Sequence, residues 1–357
     1  MPTVRPELLL VHEPVAACEA RLTGKLGAQA AGEVASYLAQ CTDIVAEFDA
    51  TAQACAGHGL RFVPVELDRA AAAFAARRPG EALIWTLSDG IAYFRGSAGP
   101  ALARLAGHPV LGAEDSLFAL CQDKFRSGAV LRALGMPVPQ AGLCRDGGWI
   151  VAPPPSDTGF FVKPNRLGAK IGIWPDSRCA TPDEAAHLSR RIFAAYGDDA
   201  VVQPYVRGRN VRASFLAVDP AAGVDRLGVF FVESGGDFQT MADSLSLYGD
   251  TGAAAKAVGA YAEPDLAAVA ATQPAADRKI RDIASGLMRA LGLRDVFSMD
   301  FRVEADDTVH FIEFEICPGL PCFDFRAYCS SEWRLGLPEA MAATAAARLR
   351  DGKFNSG

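Results

Sequence analysis

The 357-residue chain lacks several things at once. No apolar run approaches the roughly 20 residues a bilayer-crossing helix needs, and the start offers only a short apolar core, Leu8 to Val11, before His12 and Glu13. It therefore reads as a first strand and not as a leader. A basic excess is missing too: 35 Lys and Arg against 42 Asp and Glu leave a net charge of −7. That argues against a general nucleic-acid binder and a membrane partner, and in favour of a small-molecule one. The nine cysteines are odd in number and include no C-x-x-C pair, so neither a disulfide framework nor a zinc ribbon is supported and a reducing cytoplasm is the expected location. No G-x-G-x-x-G follows the first strand, which leaves a dinucleotide fold without support, and no internal repeat is visible.

What is present is apolar and punctuated. Half the residues are hydrophobic and 22% charged, enough for two or three packed units. Over the first ~115 residues short apolar runs (8–11, 60–65, 83–86) alternate with Ala-rich helical stretches (27–49, 70–76), the pattern of a parallel sheet wrapped by helices. A helical pattern over 113–138 stops at Gly135, Pro137 and Pro139. Gly147, Gly148 and Pro153 to Pro155 read as a surface loop. Strands are expected at 160–163, 200–205 and 211–218, with helices at 183–196 and 277–291. The poorly periodic stretch 235–274 is a candidate substrate loop.

The segment VFSMDFRVEADDTVHFIEFEICPG, 296–319, carries the most information. Alternation places Phe297, Met299, Phe301 and Val303 on one face and Ser298, Asp300 and Arg302 on the other; in the second half Ile312, Phe314 and Ile316 oppose Phe311, Glu313 and Glu315. A turn at Asp306 and Asp307 sets Asp300 opposite Glu313 and Ser298 opposite Glu315. Like charges across a ladder repel, so three carboxylates on one face ask for a cation, and an oxygen-only donor set favours Mg²⁺ over zinc. The competing reading is a solvated face on which Arg302 neutralises part of the charge.

Five motifs in order, across Gly112 to Phe325, resemble the ATP-grasp carboxylate-amine ligases, and within them the D-alanine:D-alanine ligase branch. CQDKFRSGAVLRALGMPVP places Lys124 at the first nucleotide lysine. FFVKPNRLGAKIGI delivers Lys163 and a Gly-containing loop with Gly168, whose backbone N–H groups suit phosphates. VVQPYVRGRN matches the adenine hinge, with Gln203, Tyr205 and Val206 around the base and Asn210 at the ribose; Gln203 and Asn210 stand where the family usually has Glu. SMDF and FIEFEICPG match the metal ligands Asp300, Glu313 and Glu315, the last at a family Asn.

The resemblance implies an α/β ATP-grasp architecture in three units: a substrate domain at 1–115, a central subdomain at 116–206 and a metal-bearing subdomain at 207–357. It implies ATP with two Mg²⁺ ions, for which Mn²⁺ can substitute. Also implied is an acyl-phosphate reaction joining a carboxylate to an amine, giving a dipeptide or amino-acid conjugate. Related ligases are often dimers, which admits a homodimer. A true D-alanine:D-alanine ligase, a carboxylate kinase and an ATP-binding pseudoenzyme are the alternatives.

The departures concern the substrate end. The family's oxyanion Arg is replaced by Ser298 while Gly319 keeps the backbone donor, so Arg302, Arg326 or Arg212 is expected to compensate. Asp324 replaces the hydroxyl that holds the acceptor carboxylate, which favours a cationic acceptor. Glu13 corresponds to the family's ammonium-binding Glu, a plain loop charge being the other reading. WTLSDGIAYFRG offers Asp89 and Arg95 as further substrate contacts.

Overall fold

A computed structural model describes residues 5–28, 30–32, 34–35, 43–88, 95–168, 170–232, 238, 240 and 266–351. Three sheets follow one another along the chain. The first is parallel, in the order β2-β1-β3-β4, built from β1 (Glu7–His12), β2 (Arg61–Glu66), β3 (Ala82–Thr86) and β4 (Val110–Leu111). Its central strand β1 is buried from Leu8 to Val11, as an apolar run covered on both faces must be. The expected helical span 27–49 is helical in part, and one helix comes before it. This unexpected helix, α1 (Val15–Leu26), is entered from Pro14 and ended by Gly27 at φ +77°; within the span residues 28, 30–32 and 34–35 are helical, and α2 (Phe48–Gly57) begins at its end. Pro14 and Gly27 mark the ends of α1, Gly27 taking a positive φ that residues with a Cβ resist.

Two further helices, α3 (Ala70–Ala75) and α4 (Arg95–Leu105), precede α5 (Asp115–Cys121) and α6 (Lys124–Ala133), which divide the single helical run expected at 113–138. Asp123, between them, caps α6 by accepting from the Arg126 N–H at 3.0 Å. The second sheet is antiparallel, ordered β6-β5-β9-β7-β8, with β5 (Gly142–Arg145), β6 (Gly148–Val151), β7 (Phe160–Pro164), β8 (Arg178–Cys179) and β9 (Ala200–Pro204), covered by α7 (Pro182–Tyr196). The expected loop at Gly147 and Gly148 is instead the β5–β6 hairpin. Asp146 (φ +47°) and Gly147 (φ +78°) form its two-residue turn, the left-handed pair that matches strand twist.

The third sheet, ordered β11-β10-β12-β13, contains β10 (Arg209–Leu216), β11 (Gly228–Phe231), β12 (Val296–Val303) and β13 (Val309–Glu315). Its apolar face packs against α8 (Pro274–Leu291) and also against α5 and α6, which precede the second sheet in sequence. After β13 come α9 (Phe323–Tyr328) and α10 (Leu337–Arg350). Their buried residues Phe325, Tyr328, Leu337 and Met341 share a core with Leu8, Leu83 and Trp85 of the first sheet. Chain order and core membership thus diverge at both junctions. Most of the expected substrate loop, 241–265, lies outside the described residues, and among them no helix is long and apolar enough to cross a membrane.

Candidate active site

Three strands of the third sheet build the site by register. Arg212 on β10 pairs with Asp300 on β12, and Asp300 pairs with Glu313 on β13; in the next row Ser214, Ser298 and Glu315 stand in line. Directly opposed residues project from the same face, so one arginine and three carboxylates gather on one side. Past Asp300 the register slips: Phe301 pairs with Phe311, and Ile312 is the extra residue of a β-bulge. This corrects the expected alternation. Phe311 does not share the face of Glu313 and Glu315; it is fully buried in the core, stacked on Phe301 at 4.9 Å. The bulge lets β13 serve a core position and a carboxylate face that strict alternation would set in conflict.

Asp300, Glu313 and Glu315 each offer an oxygen within 4.8 Å of the others. Lys163, near the end of β7, is 6% exposed and donates to Glu313 Oε2 at 3.2 Å; Lys124, the first residue of α6, lies 3.8 Å from the same oxygen. Burial pushes the Glu313 carboxyl up, but the two ammonium groups prevail and hold it at about 2. Burial lowers Lys163, reinforced by Lys124 and opposed by Glu313. Glu315, two residues along the same strand, is raised to about 7 by burial and by the charges of Asp300 and Glu313, against the pull of Arg212. Ser298 Oγ donates to it at 3.3 Å, so this hydroxyl attends a carboxylate of the cluster.

Arg212 closes the other end. Nε and Nη2 form a fork on Asp300 at 2.9 and 3.0 Å, and Nη1 donates to Asp324 Oδ2 at 3.3 Å. Its guanidinium, half-buried, is held protonated by Asp300, Asp324 and Glu315 against the cost of desolvation. Of the three arginines expected to compensate for Ser298, this one stands among the carboxylates. Arg302 instead donates to Asn210 Oδ1 at 3.1 Å and to the Tyr205 hydroxyl at 3.4 Å, and Arg326 donates to Glu47 at 2.7 Å and to the Pro321 carbonyl. Asp324, expected to meet a cationic acceptor, is 7% exposed and holds the Arg212 guanidinium. An arginine as the one charged residue inside the strand run VRASFL was the signal in the sequence for Arg212.

The expected adenine hinge follows β9. Gln203 and Val206 are half-buried; Tyr205 is buried, its ring facing the guanidinium of Arg178 at 4.0 Å. Open space adjoins Gly168, and the left-handed positions of its loop are Lys170 and Gly172. Gly319, half-buried in the turn before α9, accepts from the Cys322 N–H. Glu13 forms a fork with Arg21 at 2.7 and 2.9 Å. Asp89 and the Arg95 side chain lie outside the described residues.

No protein-family model matches the chain. A putative D-alanine–D-lactate ligase of Streptomyces coelicolor is 26% identical over 229 residues, covering 62% of this chain and 59% of its own length. The D-alanine–D-alanine ligase of a Caulobacter species is 29% identical over 219 residues, 57% of each. The chain thus spans less than two thirds of the length of these relatives. The solved D-alanine–D-alanine ligase of Bacillus anthracis in complex with ATP superposes with a TM-score of 0.62 at 13% identity, covering 98% of this chain and 100% of that one. The chain has the ATP-grasp fold, and its relatives by sequence and by structure fall in the D-alanine–D-alanine ligase-like branch of that family.

Proposed function

We propose that the chain is an ATP-dependent, ADP-forming ligase that joins a small carboxylate, an amino acid, to an amine. The observation that carries this reading is the meeting of Asp300, Glu313 and Glu315 with two lysines delivered from other elements, Lys124 and Lys163. The donor set fits Mg²⁺: all three groups are carboxylates, they converge, and one of them, Glu315, is costly to keep ionised without a cation. Bound there, Mg²⁺ would neutralise charge on nucleotide phosphates. Lys124 and Lys163 supply cations for those phosphates, the loop 165–172 supplies backbone N–H groups, and Gln203, Tyr205, Val206 and Asn210 line the base and ribose. The substrate carboxylate oxygen attacks the γ-phosphorus and the bond to the β-phosphate oxygen breaks, giving acyl phosphate and ADP. The amine then attacks the carbonyl carbon, loses a proton, and phosphate leaves.

At the substrate end the Arg212–Asp324 pair presents a cation and an anion together. That suits an acceptor with both an ammonium and a carboxylate, an amino acid, better than a purely cationic amine. Incubation with Mg·ATP and pools of amino acids, amines and short peptides, read by ADP release and mass spectrometry of products, tests the reading. Stoichiometric ADP and an amide product are expected. Acyl phosphate released without amide would point to a carboxylate kinase; ATP bound and never turned over would point to a pseudoenzyme.

A further inference from the structure

The two lysines that share Glu313 come from different elements, one opening α6 and the other near the end of β7, so something must fix their separation. Asn165, two residues beyond Lys163, is 2% exposed and uses every polar group it has. Its N–H donates to the Asp199 carbonyl at 2.8 Å and its carbonyl accepts from the Lys124 N–H at 3.0 Å. Its Oδ1 accepts from the Phe125 N–H at 2.8 Å, and its Nδ2 donates to Asp123 Oδ1 at 3.1 Å. Asp123, 4% exposed, spends the same oxygen on the Arg126 N–H. The first N–H groups of α6 are therefore taken, and this helix end is a socket for the end of β7 rather than an anion site. A fourth tie runs from Lys124 Nζ to the Leu167 carbonyl at 2.7 Å.

We propose that Asn165 and Asp123 are positioning residues that set the spacing of Lys124 and Lys163, and through it the grip on nucleotide phosphate. This rests on the reading that both lysines hold phosphate. The bonds are short and buried, and each pins backbone adjoining a lysine, so loss of either side chain lets two like charges on one oxygen drift apart. An error of about 1 Å in such a site costs up to ~10²-fold.

The experiment measures Mg·ATP affinity by calorimetry, with melting temperature alongside, for the wild type, Asn165→Ala, Asn165→Asp and Asp123→Ser. Serine still caps a helix but is an atom shorter, so it separates capping from the bond to Asn165. Asp123→Ser and Asn165→Ala are expected to weaken Mg·ATP roughly tenfold or more while the Asp123→Ser chain melts within a few degrees of wild type. In Asn165→Asp the introduced carboxyl faces Asp123, which also meets Arg126 and Arg166, with Lys124 alongside. Its affinity relative to wild type should be poorest near pH 8 and recover toward pH 5, where a protonated carboxyl again donates to Asp123. Folded variants with wild-type affinity, or a loss that follows melting temperature and ignores pH, would overturn the proposal. A wild type that binds no Mg·ATP removes the functional reading itself, and this proposal with it.

Discussion

Glu313 and Glu315 stand two residues apart on one face of one strand, yet one is held at about 2 and the other raised to about 7. Both are half-buried, so burial does not separate them. The difference is that Glu313 faces two lysines brought in from β7 and α6, whereas the cation acting most strongly on Glu315, Arg212, is committed to Asp300 and Asp324. The site has a lysine end and an arginine end, each balanced by its own cations, with an under-compensated carboxylate between them. Identical residue types on identical backbone acquire opposite ionisation preferences from what other elements supply.

The largest expected effect lies at the lysine end. Glu313→Gln should lower turnover by on the order of 10³-fold, because it removes a charge meant for a cation at the reacting phosphates. Gln still offers Lys163 an acceptor oxygen, so circular dichroism should report a folded chain; unchanged turnover would remove Glu313 from the site. At the arginine end Arg212→Ala leaves Asp300 and Asp324 without their cation. About 2 kcal/mol should be lost, below the usual range for a buried pair because the groups are partly open to water. Arg212→Lys should lose less, as it keeps the charge and forfeits the fork. Urea denaturation measures both, and a cycle with Asp324→Ala should be non-additive by ~1 kcal/mol.

Between the ends, Mn²⁺ or Mg²⁺ should raise the melting temperature of the wild type. The linkage is ~1 kcal/mol when free ion reaches a few times its dissociation constant, and chelator should reverse it. Glu315→Ala should abolish most of this response; an undiminished one would mean that the ion binds elsewhere.

The smallest effect contrasts the site with the first sheet. His12, packed edge-on to Phe48 at 5.0 Å, is lowered by burial, against the pull of Glu66 and Asp43. A histidine whose folded value is depressed contributes stability above the unfolded value of about 6.5, and that contribution is lost as pH falls through the lower folded value. Melting temperature should therefore drop on acidification from pH 7 to 5.5, and His12→Gln should flatten that slope; an equal slope in the variant would exclude His12 as its source.

Much of this was legible in the chain. The alternation of 296–303 and the turn at Asp306 and Asp307 were enough to set Asp300 against Glu313 and Ser298 against Glu315, the pairs the structure has. Periodicity went astray where one residue changes the count, at the bulge of Ile312. It also missed α1, whose ends Pro14 and Gly27 mark, and the Asp146–Gly147 turn. The intramolecular partners of Asp324, Arg302 and Arg326 were not legible for another reason: a charged side chain is read in isolation, while its partner lies on a distant segment.

The sequence by itself determined the strands, the carboxylate ladder, the two lysines and the order of motifs, since these depend on local period and short-range pairing. Only the tertiary structure decided which cation meets which anion. Arg212 reaches Asp300 and Asp324 because β10 lies beside β12. Lys124 and Lys163 reach one oxygen because Asn165 joins α6 to β7. Charge interactions act through space and weaken with distance and water, so their outcome is set by the packing that brings the groups together and dries the space between them.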